Sequence, residues 1–231
     1  MVTAERVQDV RRRRRSLPVY LTLPEYHRLL AACANERDRL LIELLAHSGG
    51  RISEVLSACV GDLTDRGLRL RNLKQGIYVP ADDPETPGGR WTERNGRIVH
   101  LHHVQVDEEK FIPFDPGYLA SLKARLAGLS LDTPLVGRLS DGKRLGRTMA
   151  YYVVKRTAAR AGILKRRFGD EMPRAAWPHC LRHSFCTWLV EAGVPLPAVG
   201  QLAGHHSPAS TAVYAKIAGP ELADYVRRVQ F

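Results

Sequence analysis

The hydrophobic period of the chain changes twice, and that change restricts the fold more than any other feature. Up to Ser57, and again from Pro116 onward, apolar residues recur at helical spacing. Between Gly67 and Phe114 they alternate instead, as in GLRLRNLK and KFIPF. A chain of this kind is α+β and mainly helical, with a small, largely antiparallel sheet on one side.

The helical signals are specific enough to place boundaries. Thr22 opens T-L-P-E, a capping box with Glu25, with Pro24 in the first turn where its missing N–H costs nothing; a helix is expected from Leu23 to Ala34. Leu40, Leu41, Leu44 and Leu45 share one face of a second helix, which stops at Ser48, Gly49 and Gly50. Arg51 follows at once, ahead of a short helix from Ile52 to Ser57. Alternating runs then appear in GLRLRNLK, GIYVP, GRIVHLHHV and KFIPF. Between Gly76 and Lys110 lies a stretch rich in Pro, Gly and charge, ADDPETPGGRWTERNG, which is more loop than a compact hairpin carries. Helices are expected again over Pro116–Leu126 and Arg147–Ala161. After the basic loop KRRFGDEMPR they resume over Pro178–Ala192 and Leu196–Leu202, and then from Ser207 and Pro208 to just beyond Tyr214. A short last helix, Pro220 to Val229, has an apolar stripe of Leu222, Tyr225, Val226 and Val229, suited either to a neighbouring protomer or to its own domain.

At 231 residues the chain can bury one substantial core. Its net charge of +11 attracts polyanions, although charge alone does not separate a nucleic-acid partner from a solvated basic surface. Arg11, Arg12, Arg13, Arg14 and Arg15 form a run in a polar N-terminal stretch that reads as an arm over residues 1–16. Beside DNA each arginine could displace a condensed counterion. No apolar stretch approaches a membrane span and no signal-peptide core follows the N-terminal charges, so the expected location is cytoplasmic. Cys33, Cys59, Cys180 and Cys186 lack the pairing of a zinc module or a disulfide framework and read as reduced thiols. His100 and His102 share a strand face, but no carboxylate or thiol stands at ligand spacing, and neither a metal nor a cofactor is expected.

The residues that carry chemistry are Arg51, His179, Arg182, His205 and Tyr214. Guanidiniums bind phosphate oxygens in bidentate fashion and stay charged at any working pH. A phenol, with a pKa near 10, is a poor nucleophile until nearby groups help remove its proton. His179 and His205 could give that help or donate hydrogen bonds. His183 and His206, next to members of the set, read as supporting or surface residues.

Four segments carry a resemblance: G-x-R-I-S-E at Gly49–Glu54, H-x-L-R-H-S-F at His179–Phe185, L-x-G-H at Leu202–His205, and a tyrosine nine residues after that histidine. In this order they closely resemble the tyrosine recombinases, also called the phage integrase family. The likeness runs from about residue 17 to residue 231, the catalytic domain alone, without the family's N-terminal core-binding domain. It implies that Arg51, His179, Arg182 and His205 surround a scissile phosphate of double-stranded DNA. Tyr214 would attack that phosphate to leave a 3′-phosphotyrosyl bond and a free 5′-hydroxyl, with no ATP required. Glu54 is similar to the family's supporting acid. Lys74, 23 residues after Arg51, stands where the family's general-acid lysine is expected, with Lys110 as its rival because the insertion over residues 75–110 delays the downstream strand.

The same resemblance implies a homotetramer on two DNA sites, leaves room for an accessory DNA-bending protein, and assigns residues 219–231 to a docking tail. Two other functions are open: a relaxing enzyme like type IB topoisomerases, and a DNA-binding regulator that does not cut. Retention of Tyr214 argues against the regulator.

Overall fold

A computed structural model describes residues 18–71, 76–80, 90–94, 97–105, 109–166, 171–205 and 208–215; in the segments from 76 to 105, and at residues 208, 209 and 215, the description is of the backbone. Lys74, the Arg11–Arg15 run, His206 and the tail over residues 219–231 lie outside the described residues. The described elements are mainly helical with a small amount of antiparallel β-structure, as expected.

Helix α1, Leu23–Ala31, starts on the expected capping box: the Thr22 N–H donates to Glu25 Oε2 at 2.8 Å and the Glu25 N–H to Thr22 Oγ1 at 3.4 Å. Helix α2, Glu36–Ser48, is capped by Asn35, whose Oδ1 accepts from the Asp38 N–H at 2.9 Å. It ends at Gly49, where φ is 55°. The four leucines are buried, but so are Ile42, Ala46 and Glu43, which makes α2 the central helix rather than a surface one. Glu43 is tolerated there because Arg39 donates to it at 2.8 Å and Arg125 at 2.6 Å.

Helix α3, Ile52–Ser57, and a 3₁₀ turn, Val60–Asp62, lead into strand β1, Gly67–Arg71. This strand pairs antiparallel with β5, Glu109–Pro113, placing Leu70 opposite Lys110 and Leu68 opposite Ile112. Leu68, Leu70 and Ile112 face the core, as the alternation requires.

The region between these strands departs from the expected single sheet. Strands β2, Gly76–Pro80, β3, Arg90–Arg94, and β4, Arg97–Gln105, form their own antiparallel sheet in the order β2-β4-β3. Thus RWTER, expected as loop, is a strand. Its polar sequence hides the pattern, and pairing along the long β4 supplies the order that propensity does not.

Helices α4, Pro116–Arg125, and α5, Arg147–Arg160, follow. A two-residue ladder, β6, Leu164–Lys165, with β7, Arg174–Ala175, then flanks the basic loop. Lys165 of β6 reaches back to both Glu25 carboxylate oxygens at 2.7 Å. Helix α6, Pro178–Glu191, packs on α2, and α7, Leu196–Ala203, and α8, Pro208–Ala215, pack on α6 and on each other. Among the described residues no helix is long and apolar enough to cross a membrane.

Candidate active site

The site begins at the glycine turn after α2. Gly49 needs its glycine twice: its backbone is left-handed, and a Cβ there would lie 2.2 Å from Phe185 Cδ1 of α6. That close approach lets Arg182, one turn before Phe185, donate from Nη1 to the Gly49 carbonyl at 2.7 Å. Arg182 is thereby fixed to the backbone two residues before Arg51. Burial and the like charge of Arg51 both press the Arg182 pKa down, yet a guanidinium remains charged at any working pH. An anion between the two arginines would relieve their repulsion.

Arg51 occupies the N-cap position of α3 and is held by Glu54, whose side chain has no solvent exposure. The Arg51 N–H donates to Glu54 Oε2 at 2.9 Å and its Nη1 to Oε1 at 2.6 Å. Lys110 of β5 completes the cluster, with Nζ 3.0 Å from Glu54 Oε2 and donating to the Ala203 carbonyl at 3.4 Å. Burial alone would raise the Glu54 pKa, but the Lys110 charge and the Arg51 bonds outweigh it and hold the carboxyl below its ordinary range. Burial lowers the Lys110 pKa, and against the pull of Glu54 the charges of Arg182 and Arg51 lower it further.

The second half of the site comes from α6, α7 and α8. His179 lies exposed in the first turn of α6, its ring centroid 6.2 Å from that of His183. His205 follows Gly204, the left-handed C-cap of α7. The His205 N–H donates to the Gly200 carbonyl at 2.9 Å, and its Nδ1 lies 3.0 Å from Thr211 Oγ1. Tyr214 of α8 lies with its ring parallel to that of His205, centroids 6.3 Å apart. Its hydroxyl is 2.6 Å from His183 Nδ1. Only 2 % of the Tyr214 side chain is exposed. Burial, followed by the neighbouring Cys186 thiol, pushes its phenol well above its ordinary pKa, against a smaller lowering from Arg182.

The described fold therefore gathers Arg51, Glu54, Arg182, His205 and Tyr214, with His179 at the α6 entrance. Two contacts add to the reading of the sequence. Lys110 is engaged by Glu54, and His183, read as a supporting or surface residue, meets the tyrosine hydroxyl. His183 falls within the H-x-L-R-H-S-F segment, but that spacing does not name Tyr214 as its partner, because the contact depends on α8 returning across 31 residues to lie on α6.

Two guanidiniums held this way beside a phenol and imidazoles form an anion site suited to a phosphate. Residues 93–219 match the phage integrase family. Over 209 residues the chain is 30% identical to the tyrosine recombinase XerA of Thermococcus kodakarensis, an alignment covering 88% of this chain and 60% of that one. It is also 30% identical over 233 residues to a resolvase of Escherichia coli, covering 93% of this chain and 79% of the relative. In fold it is similar to the crystal structure of XerA recombinase, with a TM-score of 0.64, 19% identity and coverage of 94% and 67%. The catalytic domain of bacteriophage HP1 integrase is similar too, with a TM-score of 0.57, 18% identity and coverage of 92% and 95%. The chain belongs to the phage integrase family, with the fold of a tyrosine recombinase catalytic domain.

Proposed function

We propose that the chain is a site-specific DNA recombinase that cleaves and rejoins strands through a 3′-phosphotyrosyl intermediate on Tyr214. The observation that carries this reading is the coupling of Arg182 to Arg51 through the Gly49 carbonyl, on the same helix that receives Tyr214. In this mechanism the guanidiniums bind the non-bridging oxygens of the scissile phosphate and stabilise the charge that develops there. Positive charge from the protein serves where other phosphoryl-transfer enzymes employ a metal. The Tyr214 oxygen attacks phosphorus, its proton passing to a neighbouring base, while the 5′-oxygen leaves with a proton from Lys74. His179 and His205 donate hydrogen bonds to the phosphate, and Glu54 orients Arg51. Lys74 is favoured over Lys110 for the acid because only Lys74 keeps the expected spacing from Arg51.

Double-stranded DNA is the proposed substrate. One structural neighbour, the XerH recombinase, was solved on its palindromic difH substrate after cleavage, with a TM-score of 0.58 and 21% identity. A tetramer on two DNA sites, with the Arg11–Arg15 arm on the phosphate backbone, fits the same reading. A nicked suicide duplex, from which the short released strand diffuses away, tests it. The wild-type chain accumulates a covalent protein–DNA complex in the absence of added metal, and Tyr214→Phe accumulates none. Absence of that complex on every DNA from the native locus would instead favour a regulator that binds without cutting.

A further inference from the structure

Tyr214 is among the largest fully buried side chains of the described fold, and a buried phenol cannot meet a phosphate that belongs to a duplex. The pose seen here is therefore one the nucleophile must leave. What holds it is specific. The hydroxyl lies 2.6 Å from His183 Nδ1 on one side of α6. One turn further along the same helix, Cys186 is buried against the same phenol, and its thiol adds to the rise in the tyrosine's pKa that burial causes. In this pose the phenol is shielded from solvent and its proton is harder to remove. The active-site histidines make different contacts: His205 Nδ1 is engaged by Thr211, and His179 lies exposed a full turn before His183.

We propose that His183 is a positioning residue that retains Tyr214 in this withdrawn pose until bound DNA offers the phenol a phosphate held by Arg51 and Arg182. This rests on the assignment of Tyr214 as nucleophile. The retaining bond opposes attack, so its loss accelerates cleavage. A general base at the same position would give the opposite sign.

The test is the single-turnover rate of covalent complex formation on the nicked suicide duplex at saturating DNA, with the unfolding midpoint of each variant measured alongside. His183→Leu removes the hydrogen-bonding ring nitrogen and is expected to react about three- to tenfold faster, the factor one net hydrogen bond represents. His183→Asn places a polar group where Nδ1 stood and restores the wild-type rate. His183→Gln carries its polar group too far out to do so and is expected to react faster, which keeps the test available if the leucine variant does not fold. A folded leucine or glutamine variant that reacts at or below the wild-type rate overturns the retaining role. Failure of the nucleophile assignment looks different: Tyr214→Phe would then still form the covalent complex.

Discussion

Glu54 binds an arginine side chain, that arginine's N–H and a buried lysine, all through one carboxylate with no solvent contact. Its folded pKa lies below the ordinary glutamate value. An unfolded chain therefore takes up the proton first as pH falls. The stability Glu54 contributes is full above the ordinary value, about 4.3, and is lost as pH falls through the lower folded value. Denaturant midpoints measured between about pH 3 and pH 7 should show this acid loss in the wild type and a flatter limb in Glu54→Gln. The same variant should be less stable at pH 7 by about 3 kcal/mol, because Lys110 and Arg51 remain buried or half-buried without their counter-charge. A second residue-scale prediction separates the lysines. Lys74→Ala should slow cleavage about 100-fold or more, and a 5′-thio leaving group, which needs no acid, should restore it. Lys110→Ala should lower stability and slow cleavage of both substrates alike, since its Nζ supports Glu54. Arg51, Arg182, His205 and Tyr214 were legible from their side-chain chemistry and the motif segments that hold them, and Glu54 through the resemblance alone. His183 was not, since its partner is set by how α8 docks on α6.

Among the elements, the glycine turn between α2 and α3 has the most consequence for the site. Gly49→Ala combines a left-handed backbone penalty of about 1–2 kcal/mol with overpacking against Phe185 of about 1–3 kcal/mol. A loss of about 2–5 kcal/mol in denaturant unfolding is expected from those two terms. Cleavage by the folded fraction should also fall, because α6 cannot then bring Arg182 to the Gly49 carbonyl. A variant as stable as wild type would show that the turn tolerates a side chain and that Phe185 moves aside. The end of α2 and the bounds of α6 were readable from stop glycines and Pro178; the start of α2 at Glu36, capped by Asn35, was not. The burial of α2 on nearly every side was not, because Glu43 marks a solvent face until Arg39 and Arg125 are seen to neutralise it. Strand β3 and the short β6–β7 ladder escaped for a different reason: their residues carry no strong strand preference, and pairing with a partner across a short connection orders them.

For the whole molecule, the proposed binding to DNA by a chain of net charge +11 should weaken steeply with salt. If Arg11–Arg15 neutralise phosphates, replacing all five by Gln should reduce the slope of log affinity against log salt by up to about 4.5, at roughly 0.9 for each phosphate no longer neutralised. An unchanged slope would mark that run as a solvated tail. The proposed function depends on one chemical event, the attack of Tyr214 on a DNA phosphate. Its most direct measurement is mass spectrometry of the trapped complex after protease and nuclease digestion. A nucleotide joined through its 3′-phosphate to Tyr214 is the predicted adduct; a nucleotide on any other residue, or one joined through a 5′-phosphate, would contradict the account.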